Sequence, residues 1–264
     1  MVQRIEGISR IVAVASGKGG VGKTTVTVNL ALALALTGAR VGLFDADIYG
    51  PNVPLMLGVR RSRAAEGWLP VARAENVPYI KPLERYGLRV MSIGLLVSEQ
   101  ETVTPDPHFV GLIVTRTLKD VIWGELDYLL IDLPPGTGEP QQTLIESLQV
   151  DGVVVVTTPQ DLSLLDASRS LGLFLKAGVP VLGVVENMSY MVCPDCGHRI
   201  EPFHRSNREW AVQDDKLDLL GRIPMDMEIS RGIDAGHPLV EANPTATEVA
   251  VFKEIAKKVR ERLG

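Results

Sequence analysis

Cysteine is nearly absent from this chain: two in 264 residues, Cys193 and Cys196, in a single C-x-x-C. A secreted disulfide framework needs several spaced pairs, so that class is excluded and a reducing, cytoplasmic setting is expected. An excess of positive charge is missing as well, since the formal net charge is −5; no nucleic-acid partner is expected on that balance. Long apolar runs are also lacking. The longest have strand length or are broken by Gly and charged residues, which predicts no membrane span. Residues 1–10 are too short and polar for a secretory signal, and none is expected. What remains is ordinary for a soluble domain, with 45% hydrophobic and 22% charged residues. The length suits one α/β domain with a large core.

Apolar, strand-like runs recur along the chain at 10–16, 40–45, 88–93, 128–132, 152–157, 179–186 and 217–223. Several are nearly continuous Val, Ile and Leu, as parallel strands covered on both faces require. Helix-like segments at 22–36, 109–122, 140–148 and 162–177 alternate with them. That alternation predicts a doubly wound, mostly parallel α/β sheet with ligands at the carboxyl ends of the strands. Residues 51–86 read as an irregular surface insertion, and no repeat or linker divides the chain, so one domain over 1–264 is expected. Thr245 to Glu248 reads as a capping box opening a C-terminal helix. Its stripe Val249, Phe252, Ala256, Val259 and Leu263 suits packing on the sheet better than membrane targeting, having one Phe and no Trp.

Directly after the first apolar run stands Ser-Gly-Lys-Gly-Gly-Val-Gly-Lys-Thr-Thr, residues 16–25. Gly17 to Thr24 fits the G-x-x-x-x-G-K-[ST] phosphate loop, between a strand and a helix as the motif demands. Gly17, Gly19, Gly20 and Gly22 let the backbone curl so that its N–H groups, including those of Val21 and Thr25, face an anion. The helix N-terminus adds its dipole. Lys23 can reach the β- and γ-phosphates, and Thr24 can ligate Mg²⁺. Two further strands end in acids: Phe44-Asp45-Ala-Asp47 and Leu129-Leu-Ile-Asp132. Asp132 fits the acid that holds a Mg²⁺-bound water in such sites. No guanine-reading N/T-K-x-D is visible, which favours ATP.

A second lysine, Lys18, follows the first loop glycine. With it the loop resembles the deviant Walker A of the MinD/ParA-type ATPases. The resemblance implies a nucleotide-sandwich homodimer in which Lys18 touches the partner's nucleotide. It also implies that Asp47 orients the attacking water, Asp45 supports the Mg²⁺ shell, Asn187 contacts adenine, and Pro224 lies where the chain wraps the base. Further stretches narrow the likeness: Asp45-Ala-Asp-Ile-Tyr-Gly-Pro51, Met91-Ser-Ile-Gly94, Trp123 to Tyr128, Asp132-Leu-Pro-Pro-Gly-Thr-Gly138 and Cys193-Pro-Asp-Cys196-Gly-His198. Together they resemble the Mrp-type iron–sulfur carrier ATPases. That resemblance implies that Cys193 and Cys196 give half the ligands of a bridging [4Fe–4S] cluster, the second subunit the rest, and apo iron–sulfur proteins receive it. Four thiolates are what such a cluster takes, and one C-x-x-C supplies two. The residues alone leave other uses open: zinc on the same Cys₄ set, zinc on Cys193, Cys196, His198 and His204 within one chain, or a redox pair. With structural zinc the chain would instead be a MinD-like positioning switch.

Overall fold

The structure, a computed structural model, describes residues 4–59, 71–74, 77–96, 107–203 and 218–264. The apolar runs form parallel strands: β1 (Ile8–Ala15), β2 (Val41–Asp45), β6 (Leu88–Ser92), β7 (Leu126–Asp132), β8 (Gly152–Thr157), β9 (Val181–Glu186) and β12 (Leu219–Arg222). An edge strand β5 (Leu83–Arg85) runs antiparallel to β6. The eight-stranded order is β12-β9-β8-β1-β7-β2-β6-β5. The chain therefore reverses its direction of winding beside β1, which is where open α/β sheets bind ligands.

The central strands bury both sides. In β1, Val12 and Val14 enter one core while Ile11, Ala13 and Ala15 enter the other. The first face is covered by α1 (Lys23–Ala35) and α8 (Thr247–Leu263), with the short α2 (Val53–Met56), α6 (Met227–Asp234) and α7 (Leu239–Ala242). The second is covered by α3 (Pro107–Asp120), α4 (Glu139–Ser147) and α5 (Asp161–Lys176). Buried from Val26 to Leu34, α1 is apolar nearly all round, so it lies sunk between sheet and α8 rather than on the surface. Trp123 is 1% exposed, donates from Nε1 to Leu118 O at 3.1 Å and meets Phe44 edge-on. Among the described residues no helix is long and apolar enough to cross a membrane.

Two expectations are corrected. Of residues 51–86, those within the described residues are ordered: α2, an antiparallel pair β3 (Val71–Ala74) and β4 (Val77–Ile80), and β5. Elements of three or four residues are too short to show a period between Pro and Gly. The capping box does not form. Residues 243–246 make a turn instead, in which Ala246 N donates to Asn243 O and Thr245 Oγ1 to Asn243 Oδ1. The helix then starts at Thr247, with Val249, Phe252, Ala256, Val259 and Leu263 buried as the stripe predicts and Ile255, outside that stripe, buried with them.

Candidate functional site: a phosphate loop and a cysteine hairpin

The phosphate loop joins β1 to α1. Gly20 and Gly22 both have φ near +81°, a left-handed backbone that side chains resist. Gly22 caps α1 in that conformation, and its carbonyl accepts the first helical bond, from Val26 N at 3.0 Å. Gly17 is needed for a different reason: a Cβ there would overlap the α5 backbone at Asp166 and lie 2.6 Å from Ala167 N. Ser16 Oγ ties the loop by donating to Lys18 O at 3.0 Å. Gly19 and Gly20 are exposed, and Lys18 and Thr25 are half-buried.

Lys23 is buried at 6% exposure and pairs with Asp132, Nζ to Oδ2 at 2.7 Å. Thr24 Oγ1 donates to the same oxygen at 2.7 Å, and Thr27 Oγ1 to the other at 2.7 Å. The register explains why a second acid is near. Asp45 and Asp132 are direct partners on the parallel strands β2 and β7, and Ala46 N donates to Asp132 O. Asp45 is also buried, accepting from Ser92 Oγ at 3.0 Å and Val53 N at 3.2 Å on Oδ2, and from Asp47 N on Oδ1. Burial first, and the Asp132 charge second, push the Asp45 carboxyl up to about 8, against the pull of Lys23. Burial likewise raises Asp47, whose Oδ1 accepts from Gly50 N at 3.3 Å. Three acids thus converge on one lysine. A divalent cation would offset that excess of negative charge, and hard carboxylate and hydroxyl oxygens are what Mg²⁺ takes. Among the described residues no three of His, Cys, Asp and Glu form a metal site by themselves. The arrangement suits a cation that arrives with the nucleotide rather than one in a protein cage.

Asn187, just past β9, is 5% exposed and donates Nδ2 to Val21 O at 2.9 Å. It abuts Gly22, where a Cβ would overlap its amide. Pro224 is buried one residue beyond Ile223, whose N donates to Glu186 O. The loop after β7 is tied back as well: Gly136 N donates to Ser16 O at 2.9 Å, and buried Gln141 donates to Pro134 O. Ser92 lies in the Met91-Ser-Ile-Gly94 stretch, though nothing there gives it a role; Thr27 carries no signal beyond being polar between Val26 and Val28, and Gln141, among polar neighbours, carries none.

Cys193 and Cys196 stand apart from these acids, on a hairpin of β10 (Met191–Val192) and β11 (Arg199–Ile200). The hairpin is rooted at the β9/β12 edge, with Ser189 N donating to Ile223 O and Met225 N to Tyr190 O. Cys193 N donates to His198 O and Gly197 N to Cys193 O, closing the turn around the pair, with Gly197 at φ +70°. Cys193 is half-buried and Cys196 exposed. Backbone N–H groups of Cys196 and then Asp195 hold the Cys193 thiol below its usual range, favouring the thiolate that binds metals. His198 joins no three-ligand group with the cysteines, and His204 lies outside the described residues.

A parallel sheet carrying this loop, with acids at the ends of the neighbouring strands, defines a P-loop nucleoside triphosphatase. More narrowly, the chain belongs to the ParA family of NUBPL-type iron-transfer P-loop NTPases, whose model matches residues 7–260. It is 44% identical over 254 residues to the iron–sulfur cluster carrier protein of Deinococcus radiodurans, covering 96% of this chain and 69% of that one. The protein of the same name from Methanocaldococcus jannaschii is 42% identical, covering 98% of this chain and 87% of its own. Among solved structures, a nucleotide-binding protein from Archaeoglobus fulgidus in complex with ADP superposes with a TM-score of 0.73 at 36% identity, covering 88% of each chain. The Pyrococcus furiosus cell division ATPase MinD superposes with a TM-score of 0.65 at 28% identity, covering 96% of this chain and 99% of that one.

Proposed function

We propose that this chain is a homodimeric ATPase that carries a [4Fe–4S] cluster bridged between Cys193 and Cys196 of two copies and delivers it to apo-proteins. The carrying observation is the half set of ligands: two exposed or half-exposed cysteines on a projecting turn, one tuned toward thiolate, with no third ligand grouped with them among the described residues. The iron-transfer family and its carrier relatives support the same reading. One P-loop domain over residues 1–264 is proposed to hold the hairpin as an insertion near 188–206.

On the nucleotide side, the N–H groups of residues 17–25 and Lys23 are assigned to the phosphates, and Asn187 and Pro224 to the adenine end. Thr24 and Asp132, supported by Asp45, are assigned to Mg²⁺, which enters with ATP and neutralises charge on the β- and γ-oxygens. Binding this substrate requires Lys23 to release Asp132 and turn to the phosphates. Asp47, on the loop after β2, is assigned to orienting the water. Lys18, with no acid paired to it among the described residues, is assigned to the nucleotide of the second copy. Catalysis then rests on positioning and charge stabilisation, and turnover is expected to be slow, as suits a switch.

Anaerobic reconstitution of wild type and Cys193→Ala, with iron, sulfide and zinc measured, tests the proposal. About four irons per two chains, lost in the variant, supports it. Tightly held zinc with no iron uptake overturns it and leaves a zinc-stabilised ATPase switch.

A further inference from the structure

The buried face of α1 holds a hydroxyl that the phosphate-loop motif does not explain. Thr27 is 0% exposed, one turn beyond Thr24, in a helix whose other sunken positions are mainly Val, Leu and Ala. Valine would fill the same volume without a polar atom to satisfy, so the hydroxyl calls for a partner. That partner is Asp132, itself 0% exposed, whose Oδ1 lies 2.7 Å from Thr27 Oγ1. Lys23 O lies 2.9 Å from the same hydroxyl. One proton cannot serve both, and the carboxylate is the nearer and stronger acceptor. Thr24 meanwhile holds Oδ2. Two hydroxyls one helical turn apart thus grip the two oxygens of one carboxylate.

We propose that Thr27 is a positioning residue for Mg·ATP: it fixes the Asp132 carboxylate by one oxygen so that the other is aimed at Thr24 and the cation site. This rests on the assignment of Asp132 to Mg²⁺ above. Thr27 touches neither nucleotide nor cation; it acts through Asp132. Outer partners that orient ligating carboxylates typically contribute about 10- to 100-fold to metal affinity or activity.

The test compares ADP binding by calorimetry in excess Mg²⁺ and in EDTA, for wild type, Thr27→Val, Thr27→Ser and Asp132→Asn. The expected result is that Thr27→Val loses about 10- to 100-fold of the affinity that Mg²⁺ adds, keeps its affinity in EDTA, and recovers with Thr27→Ser. The Mg²⁺ concentration giving half-maximal ATP hydrolysis should rise by a similar factor, and thermal unfolding of each variant checks folding. If Asp132→Asn removes the Mg²⁺ gain while Thr27→Val keeps it, the Thr27 role is overturned and the Asp132 assignment stands. If Asp132→Asn keeps the Mg²⁺ gain, the Asp132 assignment fails and takes the Thr27 role with it. If Thr27→Val fails to fold, Thr27→Ala replaces it, and a lowered melting point with an unchanged Mg²⁺ gain marks Thr27 as purely structural.

Discussion

The four glycines of the phosphate loop should respond to alanine in a graded order that the motif alone does not give. Gly19 has nothing within 4 Å of an added Cβ and no positive φ. Alanine there should leave the stability of the nucleotide-free protein unchanged or raise it by up to about 1 kcal/mol, by restricting the unfolded chain. Gly20 also has open space, but its φ of +81° makes a Cβ strained, by about 1–2 kcal/mol. Gly22 combines φ of +81° with an overlap on Asn187. Displacing that amide also removes its bond to Val21 O, so about 2–3 kcal/mol is expected. Gly17 has ordinary φ but faces backbone, with Ala167 N only 2.6 Å from the Cβ, where real Cβ contacts stay beyond 3.0 Å. Backbone cannot rotate away, so β1 and α5 must separate, for about 3 kcal/mol. At about 2–4 °C per kcal/mol for a chain near this size, the melting point should hold for Gly19→Ala and drop by about 2–8 °C for Gly20→Ala. Gly22→Ala and Gly17→Ala should drop by about 4–12 °C. Differential scanning calorimetry without nucleotide reads the series. Equal losses at Gly19 and Gly17 would refute the reasoning, because the loop would then not be packed as described.

Asp45 titrates near 8 when folded and near 3.8 when free, so between these values the folded chain keeps a proton that the unfolded chain has lost. Stability should therefore fall as pH rises from about 4 to about 8. Asp45→Asn should be more stable than wild type at pH 8.5, on the order of a few kcal/mol, with the gap closing near pH 4; urea melts showing no pH-dependent gap would contradict this. Cys193 should react with iodoacetamide at lower pH than an ordinary thiol, read by peptide mass spectrometry, because backbone N–H groups stabilise its thiolate; an ordinary titration would show that the turn does not form in the metal-free chain. Asn187→Ala should lower nucleotide-free stability by about 1 kcal/mol through the Val21 carbonyl it leaves unpaired. An unchanged melting point would mean the amide does not hold the loop.

Much of this was legible because the chemistry is local. The β1–loop–α1 unit is contiguous, so Gly17 to Thr25 and the strand-end acids Asp45, Asp47 and Asp132 could be read from spacing and apolar context. Family membership followed from motifs whose wording is specific, above all the C-x-x-C after Asn187. Contacts between distant segments were not legible. Nothing in the sequence says that Gly17 meets Asp166, that Asn187 holds Val21 O, or that Thr27 grips Asp132, since each depends on how helices settle on the sheet. The short α2, α6 and α7 escaped because four to eight residues give too few turns for a period. The turn at 243–246 shows how Asn-Pro-Thr can satisfy its own polar groups locally and move a helix N-cap from Thr245 to Ala246.

Native mass spectrometry after anaerobic reconstitution weighs the bridging cluster and the chains that hold it in one species. The expected species is two chains plus one Fe₄S₄ unit, reverting to apo mass in both Cys193→Ala and Cys196→Ala. A monomer carrying one zinc, or a dimer with no inorganic mass, would contradict it.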